Sequence, residues 1–375
     1  MKDDAGYLSH IDVMKVVAIF FVMFNHTGKD GFFFFSRIPP DEPYFWFFIS
    51  LSAFCKFAVP LFFMMSGALY LRKESVGVKY VLLKIVKLVF IIYAAYFLRG
   101  FFKVVSATSF SYVLNDIGIV SFIIIFTHIP DYVIEGDFWF LFLYLFYLFA
   151  LVPIFKIKGI APCLLFCVVF VPFYFVSLAP YYKYAFFSEP FYLGGIMHYL
   201  WMMFNVVAYP LTGYALEKND NSFFERHLLS MWIINILLLC ASVAFTVHKG
   251  MAAGGVWTEE QSQDFFYTFP FFNAVVIYVT FKKFFRDMSG KKKAVFSFLS
   301  KSVFIVYLMH VNLKYFLFKY VFTDFSAKLE EYVAGMAFFP PLLMIAGEIL
   351  SEFCLCVLIY ALLSKIPVVR EVTRL

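Results

Sequence analysis

The sequence predicts an all-α integral membrane protein, a polytopic helical bundle of about ten transmembrane helices with both termini in the cytoplasm. The 375-residue chain is 63% apolar and only 15% charged, whereas a soluble chain of this length carries about a quarter charged residues. Apolar stretches recur from end to end, each near the ~20 residues that span a bilayer. Basic residues concentrate at alternate ends of these stretches, as the positive-inside rule requires.

The apolar stretches predict ten spans in a single transmembrane domain that covers residues 1–375. In chain order they are about 11–27, 44–71, 82–102, 137–155, 160–179, 191–216, 228–248, 264–284, 296–322 and 338–364. A further run, 117–126, is too short to span, so we expect it at the interface or in a re-entrant segment. Asp12 and Lys15 interrupt the first stretch and no small-residue cleavage site follows, so we expect this helix to be retained.

The basic residues decide the orientation. With the N-terminus inside, roughly two thirds of the Lys and Arg residues lie at cytoplasmic ends of the spans, which predicts an even number of spans in the plasma or inner membrane. The net charge of +6 follows from this bias and does not indicate nucleic-acid binding. The six cysteines lie in apolar runs without nearby histidines, so no metal site is predicted.

Two ionisable residues in the first span, Lys15 and His26, are the most informative feature of the chain. Eleven positions at about 100° each place them on nearly the same helix face, roughly 16 Å apart along the axis. Because ionisable groups inside a membrane helix are costly, two on one face indicate a polar interior path. Alternatively, Lys15 snorkels to one surface and His26 ends the helix at the other. Asp12, three residues before Lys15, can pair with it.

A second candidate site is the basic stretch that opens the third span. Lys84 and Lys87 share a helix face, and with Arg72 and Lys73 they can form a cationic pocket at the inner mouth of the bundle. Such a pocket suits the phosphates of a nucleotide-like ligand. Taken alone, ordinary positive-inside anchoring is the simpler explanation of the same residues.

Other polar groups inside the spans are few. Glu348 and Glu352 lie four residues apart on one face of the last span, where a carboxylate needs a partner or water. His310 follows Tyr307 by three residues in the ninth span. Each of these can also be a satisfied structural hydrogen-bonding group.

Four collinear stretches form an ordered set of motifs. They are Asp12-Val-Met-Lys15 followed by His26, Pro60-Leu-Phe-Phe-Met-Met-Ser66-Gly67, Phe138-Trp139 with Tyr144 and Tyr147 before Val152-Pro153, and Ser302-Val-Phe-Ile-Val-Tyr307-Leu-Met-His310. Together they resemble the acyltransferase-three family of integral membrane acyltransferases. That family transfers acyl groups, often acetyl, from acyl-CoA to cell-surface glycans. Lysine stands at Lys15, and at Lys84 and Lys87, where arginine is commoner.

The resemblance implies a membrane O-acyltransferase that moves an acyl group, acetyl foremost, from cytoplasmic acyl-CoA to a hydroxyl of a cell-surface or lipid-linked glycan. His26, the only histidine in the first span, is the expected general base, because histidine titrates near neutral pH. The other expected catalytic residues are Lys15 and Asp12, at the inner end of the same helix. Lys84, Lys87, Arg72 and Lys73 are expected to bind the phosphates of the donor, and Trp139, Tyr144 and Glu348 the acceptor. Acetyl-CoA is the expected co-substrate, with no metal and no nucleic acid, and the lipid bilayer surrounds the chain.

Two other classes stay open at this point. A transporter or flippase of a glycan or acyl intermediate would explain ten spans and buried charges, but not the clustered lysines beside the Lys-x10-His pattern. A non-catalytic membrane module of a larger complex would be expected to carry a soluble domain, and we see none in the sequence.

Overall fold

The computed structural model is helical and contains no strand in the residues that it describes, so the all-α prediction is confirmed. The described residues are 8–27, 31–107, 139–157, 195–218, 222–252, 254–255, 268–320, 328, 331 and 339–366. The helices are α1 (Ser9–Asn25), a 3₁₀ turn (Gly31–Arg37), α2 (Pro43–Cys55), α3 (Ala58–Tyr70), α4 (Val78–Ala107), α5 (Trp139–Ile157), α6 (Gly195–Lys218), α7 (Ser222–Arg226), α8 (Leu228–Ala252), α9 (Thr268–Phe285), α10 (Gly290–Tyr320) and α11 (Phe339–Leu363).

Six segments of the described chain are long and apolar enough to cross a membrane. They are Pro43–Tyr70, Val78–Leu98, Trp139–Lys156, Leu228–Ala252, Gly290–Lys314 and Pro341–Leu363. The chain is therefore a polytopic helical membrane protein by length and composition. The count of ten spans and the cytoplasmic termini stay predictions. The span expected at 160–179 and the short run 117–126 lie outside the described residues.

The span expected at 44–71 is divided into two helices, α2 and α3, by a break at Lys56 and Phe57. Pro60 lies in the first turn of α3, and its ring would clash with the carbonyl of Lys56 if one helix continued through. The carbonyl of Phe54, beside the break, instead accepts a hydrogen bond from Asn273 Nδ2 of α9 at 3.0 Å. The break is therefore a point at which α2 and α9 are joined.

α1 lies at the centre of the described bundle and packs against α2, α3, α9, α10 and α11. Most of its residues are buried, including the polar residues Ser9, His10, Asp12 and Asn25. A helix with this many polar groups is unfavourable against lipid. Its central position gives Ser9, His10 and Asp12 protein partners instead.

The most extensive helix contact in the described chain, between α3 and α6, depends on two glycines. A side-chain carbon at Gly67 would collide with the backbone of Pro210, and one at Gly213 would collide with the backbone of Met64. Small residues of this kind allow the backbones of membrane helices to approach closely. The reciprocal pair fixes α3, which carries Ser66 and Tyr70, against α6.

Gly67→Ala is expected to lower the melting temperature of the detergent-solubilised protein. The added carbon meets backbone atoms rather than a flexible side chain, and overpacking of this kind costs about 1–3 kcal/mol. The matched control is Gly77→Ala, because an added carbon there meets open space. Equal melting temperatures for the two variants would contradict the close approach of α3 and α6.

Candidate active site

A cavity of about 1160 Å³ enters the bundle between α1, α3, α4, α5, α10 and α11. Its opening carries the charged side chains Arg72, Lys73, Lys84 and Lys301, which we call the basic mouth, together with Glu74. The deeper wall is formed by Lys15, Val22, Ser66, Tyr144 and Tyr307 together with apolar side chains. The cavity therefore connects a cationic entrance to the interior of the bundle.

Two tyrosines hold the lysines of the basic mouth. Lys73 Nζ donates a hydrogen bond to Tyr80 Oη at 2.8 Å and lies 4.5 Å from the centre of that ring. Lys84 Nζ lies 5.1 Å from the Tyr70 ring and 5.4 Å from the Tyr80 ring. These are cation–π distances, so the ammonium groups are gathered at the entrance. Lys87, half-buried, is close enough to repel Lys84, but it is not one of the residues described as lining the cavity.

Lys15 lies on the cavity wall within electrostatic range of Asp12, as their spacing predicts. Lys15 lines the cavity and is attracted by the carboxylate of Asp12. Asp12 is buried and accepts a hydrogen bond from Ser300 Oγ at 2.5 Å. Ser300 lies on α10 and lines the same cavity. The buried carboxylate therefore joins α1 to α10 beside a lysine that faces the cavity.

Of the three residues expected on the acceptor side, Tyr144 lines the cavity, whereas Trp139 and Glu348 lie outside its described wall. Tyr144 lines the cavity and is hydrogen-bonded to Ser66 and Tyr70 of α3. Trp139 is half-buried against the apolar core, and its neighbour Phe140 lines the cavity in its place. Glu348 is buried in α11 and is also outside the described cavity wall.

His26 lies one helical turn beyond Val22, the last residue of α1 on the cavity wall. Its ring is half-buried, and its ring centroid is 5.3 Å from that of His310 on α10. The backbone carbonyl of His26 accepts a hydrogen bond from Lys314 Nζ, also on α10. A helix end leaves its last carbonyls without intrahelical partners, so Lys314 both satisfies this group and fixes the position of His26.

His310 is the functional candidate for which the sequence supplied only a weak signal. It is 2% exposed, and its Nδ1 lies 3.0 Å from Val306 O and 2.9 Å from Tyr307 O. The Tyr307 ring lies 6.2 Å from the His310 ring and lines the cavity on its other side. His310 thus connects the cavity wall to His26. We call His26, His310 and Lys314 the histidine end of the site.

An acidic pair on α11 adjoins the histidine end. Glu348 and Glu352 are both buried and repel one another, and Glu352 is within electrostatic range of Lys314. Phe353 packs on Phe20 of α1 with ring centroids 4.5 Å apart. The carboxylates expected from the sequence therefore lie beside the second half of α1.

A further polar cluster fixes the start of α1. It could not be predicted from the sequence, because its members are far apart in the chain. Glu217 Oε1 lies 2.8 Å from His10 Nε2 and accepts a hydrogen bond from Tyr278 Oη at 2.8 Å. Burial raises the pKa of Glu217, but hydrogen bonds from His10 and Tyr278 and the charge of Lys282 together leave that pKa below its ordinary value. The carboxylate is thereby kept as an anchor for α1.

The comparisons with known proteins identify the family. The family model described as an acyltransferase domain, the acyltransferase-three model, matches residues 8–361. The chain belongs to the acyltransferase-three family. Membership implies a membrane acyltransferase, and the matched range contains both the basic mouth and the histidine end. No curated protein and no solved structure matches the chain. The acyltransferase-three assignment favours the enzyme over a transporter or flippase.

Ser300→Ala is expected to lower the free energy of unfolding by about 1.5–3 kcal/mol, the range for a hydrogen bond to a charged group. Ser302→Ala is the matched control, because Ser302 is buried on the same helix but donates only to Leu299 O of its own helix. Denaturant titration of both purified variants measures the difference. An equal loss in both would show that the Asp12–Ser300 hydrogen bond does not join α1 to α10.

Proposed function

We propose that this membrane acyltransferase moves an acyl group, acetyl foremost, from cytoplasmic acyl-CoA to a hydroxyl of a cell-surface or lipid-linked glycan on the opposite side of the plasma or inner membrane. The observation that carries the proposal is the cavity lined by both the basic mouth and Tyr307. The Tyr307 ring lies 6.2 Å from the ring of His310, which lies 5.3 Å from that of His26. A donor bound at one end and a base at the other are what such a transfer needs.

The basic mouth is proposed to bind the phosphates of the donor. Lys73 and Lys84 line the entrance together with Arg72, and ammonium and guanidinium groups form short, charge-assisted hydrogen bonds with phosphate oxygens. The cavity volume of about 1160 Å³ slightly exceeds that of typical small-molecule sites, about 300–1,000 Å³. Apolar side chains of the deeper wall, such as Phe62, Phe140 and Phe304, suit the uncharged arm of the donor.

His26 is proposed to act as the general base. It takes the proton of the acceptor hydroxyl while the hydroxyl oxygen attacks the thioester carbonyl carbon, the carbon–sulfur bond breaks, and the thiolate receives a proton from the imidazolium. Lys15 lies roughly 16 Å from His26 along α1, too far to stabilise an oxyanion there. We therefore assign Lys15, held by Asp12, to the donor.

The acyl group has to move along α1 from the level of Lys15 to the level of His26. Either the donor arm extends through the cavity to His26, or His26 carries the acyl group for a short time before the hydroxyl attacks. Tyr144, on the cavity wall, is proposed to contact the donor arm, and Glu348 to face the acceptor. Trp139 packs against the core and is proposed to support Phe140.

Lys73→Gln combined with Lys84→Gln is expected to weaken acetyl-CoA binding by at least tenfold. Charge-assisted hydrogen bonds contribute about 1.5–3 kcal/mol each, and every 1.4 kcal/mol is about tenfold in affinity. The matched control changes Lys291 and Lys292 to Gln, since both are exposed and lie outside the described cavity wall. Equal losses of affinity, measured by calorimetry, would mean that only total charge matters and would exclude the basic mouth as the phosphate site.

Oriented vesicles test the direction of transfer. Radiolabelled acetyl-CoA added on the side of the basic mouth is expected to label a glycan on the opposite side, with free CoA released where the donor was added. His26→Ala is expected to remove the label while acetyl-CoA binding stays within about twofold of wild type. Labelling that requires donor on the other side would contradict the proposed topology. Glycan movement without consumption of acetyl-CoA would identify a transporter.

A further inference from the structure

We infer that His310 is a positioning residue for the transfer reaction: its Nε2 accepts a hydrogen bond from an N–H of the His26 imidazole and thereby fixes the tautomer of His26. The inference rests on the proposed function of His26 as the base. It concerns a residue for which a purely structural role in α10 was the simpler expectation.

The hydrogen bonds of His310 determine which of its nitrogens carries the proton. Nδ1 lies 3.0 Å and 2.9 Å from two backbone carbonyl oxygens, those of Val306 and Tyr307. Carbonyl oxygens only accept, so Nδ1 must be the donor. A neutral imidazole carries one N–H, which leaves Nε2 as an acceptor with a free lone pair. The helix itself therefore fixes His310 in one tautomer.

The lone pair of Nε2 has no hydrogen-bond partner in the described structure. His310 is 2% exposed, and Nε2 is one of its buried polar atoms left unsatisfied. Leaving a buried acceptor unpaired costs about as much as a lost hydrogen bond, so a donor is expected nearby. The nitrogen lies on the part of the ring that is not engaged by the α10 backbone.

His26 is the donor that the geometry offers. The ring centroids of His26 and His310 are 5.3 Å apart, which leaves about 3 Å between ring nitrogens that face each other, the length of a hydrogen bond. Lys314 holds the backbone carbonyl of His26, so the two imidazoles are fixed by the same helix, α10. The inferred hydrogen bond requires an N–H of the His26 ring to face Nε2 of His310.

The charged and titratable groups around this pair favour a neutral His310. The positive charge of Lys314 on α10 repels a positive charge on His310. Lys314 therefore opposes protonation of His310 at Nε2. Glu352 of α11 lies within electrostatic range of both Lys314 and Glu348. Tyr307 of α10 adds a ring contact. His310 is thereby kept as an acceptor while His26 changes its protonation state.

The proton balance of the step is complete with these two residues. Before transfer, His26 carries a proton on the nitrogen that faces His310, and its other nitrogen holds a lone pair. That lone pair takes the proton of the acceptor hydroxyl, and His26 becomes a cation whose first N–H is stabilised by His310. When the carbon–sulfur bond breaks, the new proton passes to the thiolate, and both histidines return to their starting forms.

The experiment compares His310→Asn with His310→Gln. An asparagine can donate to the carbonyl four residues earlier, as Asn312 does to Leu308 O at 3.2 Å on the same helix, but it offers no acceptor at the place of Nε2. We expect His310→Asn to lower kcat at least tenfold with the KM for acetyl-CoA within about twofold, and His310→Gln to recover part of the rate. The matched control, Asn312→Ser, changes an equally buried polar residue and is expected to keep kcat within about twofold.

Nitrogen-15 NMR of histidine-labelled protein in nanodiscs gives a readout that does not depend on activity. His26→Ala assigns the ring signals of His26, which are expected to report one tautomer in the wild type and a mixture in His310→Asn. Unchanged His26 signals in a folded His310→Asn variant would overturn the inference. A wild-type protein that does not consume acetyl-CoA, or an active His26→Ala variant, would instead overturn the proposed function, and the NMR comparison would still decide the pairing of the histidines.

Discussion

The polar groups of α1 have to be satisfied inside the bundle, because lipid offers no hydrogen-bond partner. Three of them, Ser9, His10 and Asp12, find their partners on other helices. Ser9 Oγ donates to Phe285 O at 2.5 Å, near the end of α9, and His10 reaches the carboxylate of α6. Asp12 is bound by Ser300 of α10, and the end of α1 is held by Lys314 of the same helix. These contacts place α1 at the centre of the bundle, and the positions of the neighbouring helices follow from them.

α10 supplies the second half of the site through one stripe of residues. Ser300, Val303, Tyr307, His310 and Lys314 recur at intervals of three and four, so they share one face of the helix. This stripe runs beside α1 from Asp12 to His26, and its members contact the cavity or the histidine end in order along the axis. The two helices together form the polar seam of the bundle, and the glycine contact between α3 and α6 fixes the opposite wall.

The sequence predicted those features that depend on one segment alone. Apolar length identified the helices, and helical periodicity placed Lys15 within electrostatic range of Asp12 and Lys84 within range of Lys87. It did not foresee the break before Pro60, because hydropathy does not register the lost backbone hydrogen bond. Nor could it pair His10 with Glu217, Asp12 with Ser300 or His26 with His310. Those contacts depend on which helix faces meet, and that is decided by packing between distant segments, as at Gly67 and Pro210.

The polar seam contains an apolar layer between its two ends, and the proposed function provides a physical reason for this layer. Between Lys15 and His26, the side chain of α1 on the cavity wall is Val22, and the facing residues of α10 include Val303 and Phe304. Charged phosphates are costly to move through such an apolar layer, whereas an acyl group on an uncharged arm is not. The donor would therefore be held by its charges at the basic mouth while only its neutral, reactive end reaches the histidines. A continuous polar path would lack this selection and would also offer ions a route through the bundle.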